Sequence, residues 1–204
     1  MIVAMAGDII VSMILPLFYK SYDWTKMSIS ALGNPASPVR LPFNIWMLIE
    51  GVLFLLSVPA IYKAYHSVSA GLSYAVIVFV VVFAVGACIF TCFFSVNESK
   101  DAVTMASKIH GAASVTGFML FLFAPLLLGI LSFKNDERLI GVMSIVSFII
   151  ALLFFVLFVM SDKPEFSVTV INHEGLWQRL NLLFMYLPFI IVAVKEMSIK
   201  PAGV

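Results

Sequence analysis

Two carboxylic acids stand where hydrocarbon is expected. Asp8 falls inside an apolar run from Ile2 to Phe18. Glu50 follows Pro42 by eight positions, which at 1.5 Å per residue sets it about 12 Å into a helix, near mid-bilayer. A carboxylate at that depth costs roughly a few kcal/mol or more, so it normally faces a bundle interior or a partner group. The chemistry open to Asp8 and Glu50 is binding of a proton or a cation. The structural alternative is that each is protonated, or bonded to a neighbouring helix, and only fixes packing. Ser12, one turn from Asp8, shares its helix face and is placed to exchange a hydrogen bond with it.

His110 is the other acid–base candidate. With Ser114 and Gly117 it marks one helix face at i, i+4, i+7 spacing, and Gly111, Ala112 and Ala113 allow another helix to approach closely. His110 is read either as a general base or ligand at an outer mouth, or as a helix-start histidine bonded to a loop carbonyl. Ser28 and Ser30 precede a Leu32-Gly33-Asn34-Pro35 break. A serine nucleophile there would need His110 as its base, but the G-x-S-x-G elbow is absent. Capping and turn formation also explain hydroxyls beside Gly, Asn and Pro.

The run Asn172-His173-Glu174-Gly175-Leu176-Trp177-Gln178-Arg179 leads into the last apolar segment. Trp177 has the amphipathic ring of the headgroup level. Arg179 could grip a lipid phosphate bidentately, reach inward to Glu50 or another acid, or snorkel to the interface. Gln178 and Glu174 stand beside it as ligand-binding candidates, and Glu174 also suits a helix N-terminus as a favourable charge. The candidate ligand-binding set is therefore Ser28, Ser30, His110, Glu174, Gln178 and Arg179.

Metal and cofactor chemistry has little material. Of the three histidines, His66 falls on the opposite side from His110 and His173. Those two, joined by Asp23, Glu98 or Glu174, make a two-His, one-carboxylate site conceivable, yet no H-E-x-x-H spacing supports it. A haem between His110 and His173 is weaker still, because His173 lies in a loop. Cys88 and Cys92 share a helix face one turn apart and read as small apolar filler. The expectation is no metal and no cofactor. Asn97-Glu98-Ser99 matches the glycosylation sequon, a short pattern common by chance.

The elements that must position these residues follow from composition. Hydrophobic residues make up 62% of the 204 and charged residues 11%, against about 25% charged in a soluble domain, and the mean hydropathy is +1.10. A net charge of +1 gives no case for nucleic acid as a partner; membrane lipids are the expected one. Six runs are long enough to cross the hydrocarbon layer: Ile2–Phe18 (the shortest), Phe43–Tyr62, Gly71–Phe94, Gly111–Phe133, Leu139–Met160 and Leu176–Val194. Backbone groups in lipid must bond within their own segment, so all six are helices. Even the Val-rich stretch at 76–83 is assigned to one. The N-terminal run lacks a basic n-region and a cleavage site, and is read as a retained helix. The predicted fold is all-α, a single polytopic domain over 1–204, with six transmembrane helices and three longer loops on one face.

The polar stretch from Ser21 to Pro42 is expected to cap one mouth of that bundle, with the later polar loops folding against it. An even number of spans places both termini together. Lys63, Lys134, Arg138, Lys195 and Lys200 fall on the side of the short loops. Lys20, Lys26, Arg40, Lys100, Lys108, Lys163 and Arg179 fall on the side of the long ones. Density per loop residue favours the short-loop side as cytoplasmic, so the chain is expected in the plasma (inner) membrane with both termini inside.

Three motifs then carry a resemblance: Ser28-x-Ser30-Ala31-Leu32-Gly33 after the first helix, His110-Gly111 opening the fourth, and Gly175-Leu176-Trp177-Gln178-Arg179 opening the sixth. They resemble domain-of-unknown-function 998, a family of prokaryotic six-helix membrane proteins, across nearly the whole chain. The resemblance implies Ser30, Gly33, His110 and Arg179 as marked positions. Members often carry an acid soon after a Phe-Pro that follows the third helix; here the chain reads Phe94-Ser95-Val96-Asn97, with Glu98 next. The resemblance implies fold and topology and no activity. The membrane hydrolases related to alkaline ceramidase hold zinc with three histidines, which this chain cannot place on one side.

Three functions remain open on the sequence. The first is binding or transport of a lipid or small amphiphile through an outward polar mouth, with Asp8 and Glu50 as proton or cation sites. The second is a membrane-embedded hydrolase or transferase acting on lipid headgroups, with His110 as base. The third is a structural subunit whose polar residues lock helix packing.

Overall fold

The computed structural model describes residues 1–97 and 103–199, the last of these by backbone alone. Glu98, Lys100 and Lys200, and with Glu98 and Ser99 most of the sequon, lie outside the described residues. The chain forms the predicted all-α bundle, and no strand occurs among the described residues. Its helices are α1 (Ile2–Phe18), α2 (Arg40–Tyr65), α3 (Ala70–Phe93), α4 (Met105–Lys134), α5 (Arg138–Ser161) and α6 (Glu174–Ile199). Helices α2 to α6 are long and apolar enough to cross a membrane, whereas α1 is a shorter apolar helix that closes in a 3-10 turn at Leu15–Phe18. The long connections 19–39, 94–104 and 162–173 alternate with the short ones 66–69 and 135–137.

Several ends differ from the hydropathy reading, each for a local reason. Helix α2 starts at Arg40 rather than Phe43, because Pro42 in the first turn gives up an N–H that has no intrahelical acceptor there anyway. Helix α4 starts at Met105, six residues before Gly111, so His110 sits inside the helix rather than opening it. The start is fixed by a capping box: Ser107 N–H donates to Thr104 Oγ1 (3.2 Å) and Thr104 N–H to Ser107 Oγ (3.0 Å).

Two helices are irregular at mid-length. In α4 the α-helical run breaks at Phe123 and resumes at Ala124. Pro125 has no N–H for the Phe121 carbonyl one turn back, and its ring crowds that carbonyl. In α3 the residues Ala84–Ile89 form a π-helical turn, a feature found mostly at functional sites. There α2 and α3 meet at Gly51, where a Cβ would fall 2.8 Å from the Ala84 carbonyl oxygen and 2.6 Å from Ile89. Only glycine permits that approach, and it carries the neighbouring Glu50 into the bundle.

Helix α5 packs along α6 and on the C-terminal half of α4, while α1 packs on α2 and α6, and α3 on α2 and α4. The N-terminal half of α4, beyond the Phe123 break, barely touches α5. Rings of Phe54, Phe83, Phe121 and Tyr186 fill the centre. On α5 the exposed Leu139, Val142, Val146, Ile149, Leu153 and Val156 recur at helical spacing, an apolar face suited to lipid. At the short-loop end Lys195 Nζ pairs with Glu137 Oε1 at 2.5 Å.

Candidate functional site: a cavity below the long loops

The first long loop is stitched to the start of α6, and this builds the rim of the site. Leu176 N–H donates to the Thr25 carbonyl (3.0 Å), and Ile29 N–H donates to Gln178 Oε1 (2.7 Å). Gly175 makes the junction possible, since a Cβ there would collide with the carbonyl oxygens of Met27 and Trp24. Arg179 Nη1 donates to the carbonyls of Trp24 (2.9 Å) and Gly175 (2.9 Å). Its Nη2 donates to the Ser12 carbonyl (2.9 Å) and the Tyr22 hydroxyl (3.0 Å). Burial pushes the Tyr22 phenol above its ordinary value, and the adjacent Arg179 charge pulls the other way. On the exposed side of this loop, hydrogen bonds from the Thr25 hydroxyl (2.7 Å) and N–H (2.9 Å) hold Asp23 below the usual carboxylate range.

Under the rim lies a cavity of about 890 Å³. Ser28, Ser30, His110, Glu174 and Gln178 line it, as do Asp8 and Glu50 deeper in the bundle. Its remaining walls are mostly apolar, with Phe43, Phe83, Phe118 and Leu182 inside. Val115, Met119 and Val159 also line it and are exposed at 57%, 47% and 45%. The cavity therefore reaches the protein surface sideways, between the N-terminal half of α4 and α5, where the two helices part.

The polar groups are held in defined ways. His110 Nδ1 lies 2.9 Å from the Phe94 carbonyl oxygen, which can only accept, so the ring hydrogen is assigned to Nδ1 and Nε2 keeps its lone pair. Ser114 Oγ is 3.5 Å from that Nε2. The loop-carbonyl reading of His110 and its place on the cavity wall thus coexist. Ser28 and Ser30 face each other at 3.2 Å between their hydroxyl oxygens. Ser28 stands at the N-cap of the 3-10 turn Ile29–Gly33, but its side chain makes no capping hydrogen bond. The two serines belong to the turn as expected, Ser28 before it and Ser30 within it, and both residues line the cavity.

Asp8 and Glu50 converge, at 5% and 1% exposure. Between them stands a residue the sequence reading passed over: Tyr186 Oη is 2.9 Å from Asp8 Oδ2 and 3.3 Å from Glu50 Oε1. Ser12 does not join them, because its hydroxyl donates to the Ile9 carbonyl of its own helix (2.9 Å). Arg179 does not reach Glu50 either. It lies outside the large cavity, across a small void of about 30 Å³ that it shares with Asp8 and Ser12. Its Nη1 and Nη2 are held by four protein acceptors, and its Nε is buried without a hydrogen-bond partner. Trp177 donates its indole N–H to the Ile171 carbonyl (2.8 Å). Among the described residues no three His, Cys, Asp or Glu side chains converge on a metal position. His173 is occupied with the Val170 carbonyl (3.0 Å), away from His110.

The family model described as "Protein of unknown function (DUF998)" matches residues 2–195. The chain belongs to the DUF998 family. Comparison with curated proteins and with solved structures returns no match. Of the positions marked by the resemblance in this DUF998 chain, Ser30 and His110 share the cavity, Gly33 ends the 3-10 turn beside it, and Arg179 anchors the rim. Tyr186 carried no signal in the sequence, because one more aromatic ring in an apolar run reads as packing.

Proposed function

We propose that this membrane protein, working as one domain over 1–204, binds a lipid or other small amphiphile. The headgroup would be held under the long loops by Ser28, Ser30, His110, Glu174 and Gln178, and the apolar part would lie between α4 and α5. The observation that carries this reading is the two-sided character of one cavity: hydroxyl, imidazole and amide groups at the loop end, phenyl and alkyl walls below, and a sideways opening onto a lipid-suited surface. Ligand sites of this kind combine apolar walls with a few placed polar groups. The charge distribution of the loops supports a plasma-membrane orientation with both termini cytoplasmic and the cavity's polar end outside. Transport would be this binding combined with access from both sides.

A second reading has an observation of its own. His110 Nε2 holds a lone pair on the cavity wall, the state that a general base requires. A headgroup hydrolase or transferase would use it. The two readings separate by incubating the purified protein with a total lipid extract and analysing the lipids by mass spectrometry. Binding predicts that the lipid recovered with the wild type is chemically unchanged, and that His110→Ala alters at most how much is retained. Conversion of a lipid by the wild type that His110→Ala abolishes would replace the binder by the enzyme.

A further inference from the structure

Asp8 and Glu50 lie at the inner end of the cavity with chemistry that the headgroup contacts do not use. The Tyr186 hydroxyl has a single hydrogen, and the 2.9 Å contact to Asp8 Oδ2 is the better place for it. The 3.3 Å contact to Glu50 Oε1 is then a hydrogen bond only if Glu50 supplies the hydrogen. The group is complete as Glu50 donating to Tyr186, and Tyr186 donating to Asp8, with one carboxyl proton among the three. Glu50 Oε2 remains: it is buried, has no hydrogen-bond partner, and belongs to a side chain that lines the cavity. A buried acceptor without a donor is costly and points to a missing partner.

The surroundings limit what that partner is. Lys26, exposed at the loop end, is the sole Lys or Arg among the described residues that line the cavity. Facing the carboxyl pair are Tyr186 and, across the small void, Arg179 from α6, with the Cys88 thiol coming from α3. His110 of α4, Asp162 just after α5 and Glu174 of α6 stand further up the same cavity. An anionic head would be driven against two carboxyls. A metal ion would need more oxygen or nitrogen ligands than converge there. An ammonium group asks for less: one carboxylate oxygen, which Glu50 supplies, in a cavity that Phe43 and Phe83 also line.

Resting on the amphiphile reading above, we propose that the occupant's headgroup reaches from the loop end down to Glu50 and carries there a protonated amine that takes the place of the Glu50 proton, so that amine binding and proton release are one exchange. The ammonium donates to Glu50 Oε2, and the carboxyl proton leaves through the cavity to water. One positive charge enters and one departs, so the charge buried in the bundle is unchanged.

The test uses n-decylammonium and n-decanol on the full-length protein in a nonionic detergent, by calorimetry in buffers of different ionisation enthalpy. The proposal expects the amine to bind more tightly than the alcohol, to release about one proton per molecule bound, and to bind more tightly as pH rises. Glu50→Gln should remove the proton release and weaken the amine at least roughly tenfold, which is about 1.4 kcal/mol. Because that variant replaces a buried group and its fold is at risk, the proton count of the wild type decides by itself. Equal binding of amine and alcohol, or amine binding without proton release, overturns the exchange and leaves the amphiphile reading standing. Binding of neither overturns both.

Discussion

At Arg179 a single side chain joins three stretches of chain: the end of α1 through the Ser12 carbonyl, the first long loop through Tyr22 and Trp24, and its own helix through Gly175. Removing it would leave carbonyl acceptors without donors in a partly buried place, the expensive direction of hydrogen-bond loss. Arg179→Ala is expected to lower stability by about 2–4 kcal/mol, read as a drop in the thermal midpoint of the detergent-solubilised protein. Arg179→Lys should recover only part of it, because an ammonium cannot reproduce the planar fork. A lysine variant as stable as the wild type would mean that charge, and not geometry, holds the rim. The sequence marks Arg179 as unusual but hides its role, since its loop partners lie more than 150 positions away. Asp8 and Glu50 are legible for the opposite reason: burial cost flags each one alone. Tyr186, which joins them, becomes visible only in three dimensions.

At the scale of elements, α4 decides whether the cavity is open. Its C-terminal half packs on α5 and its N-terminal half does not, and the change falls at Phe123, two residues before Pro125. Pro125→Ala restores a backbone donor for the Phe121 carbonyl and is expected to straighten the helix towards α5. Spin labels on Val115→Cys and Val159→Cys should then report a shorter separation, and a bound amphiphile should exchange more slowly. An unchanged separation would show that packing against α3 keeps the N-terminal half of α4 apart from α5. Hydropathy finds the apolar body of α4 but not its start, because Ser107, Lys108 and His110 interrupt the apolar run while the Thr104–Ser107 capping box fixes the true end. The π turn in α3 has no counterpart in periodicity, although the glycine that packs on it is plain in the sequence.

For the whole molecule, the medium explains how much was legible. Backbone groups surrounded by hydrocarbon have one economical solution, so run lengths and the alternation of long and short loops give the helices and their order. A cavity has no such signature: α1 lends it Asp8 alone, α2 to α6 and the loops lend it several residues each, and only packing gathers them. That gathered space is proposed to hold an amphiphile. Native mass spectrometry of the detergent-purified protein is the test, with Ser114→Trp as a variant that narrows the cavity from the wall of α4. A retained amphiphile is expected on the wild type, and clearly less of it on Ser114→Trp at unchanged fold. The same adduct on both proteins, or none on either, would contradict it.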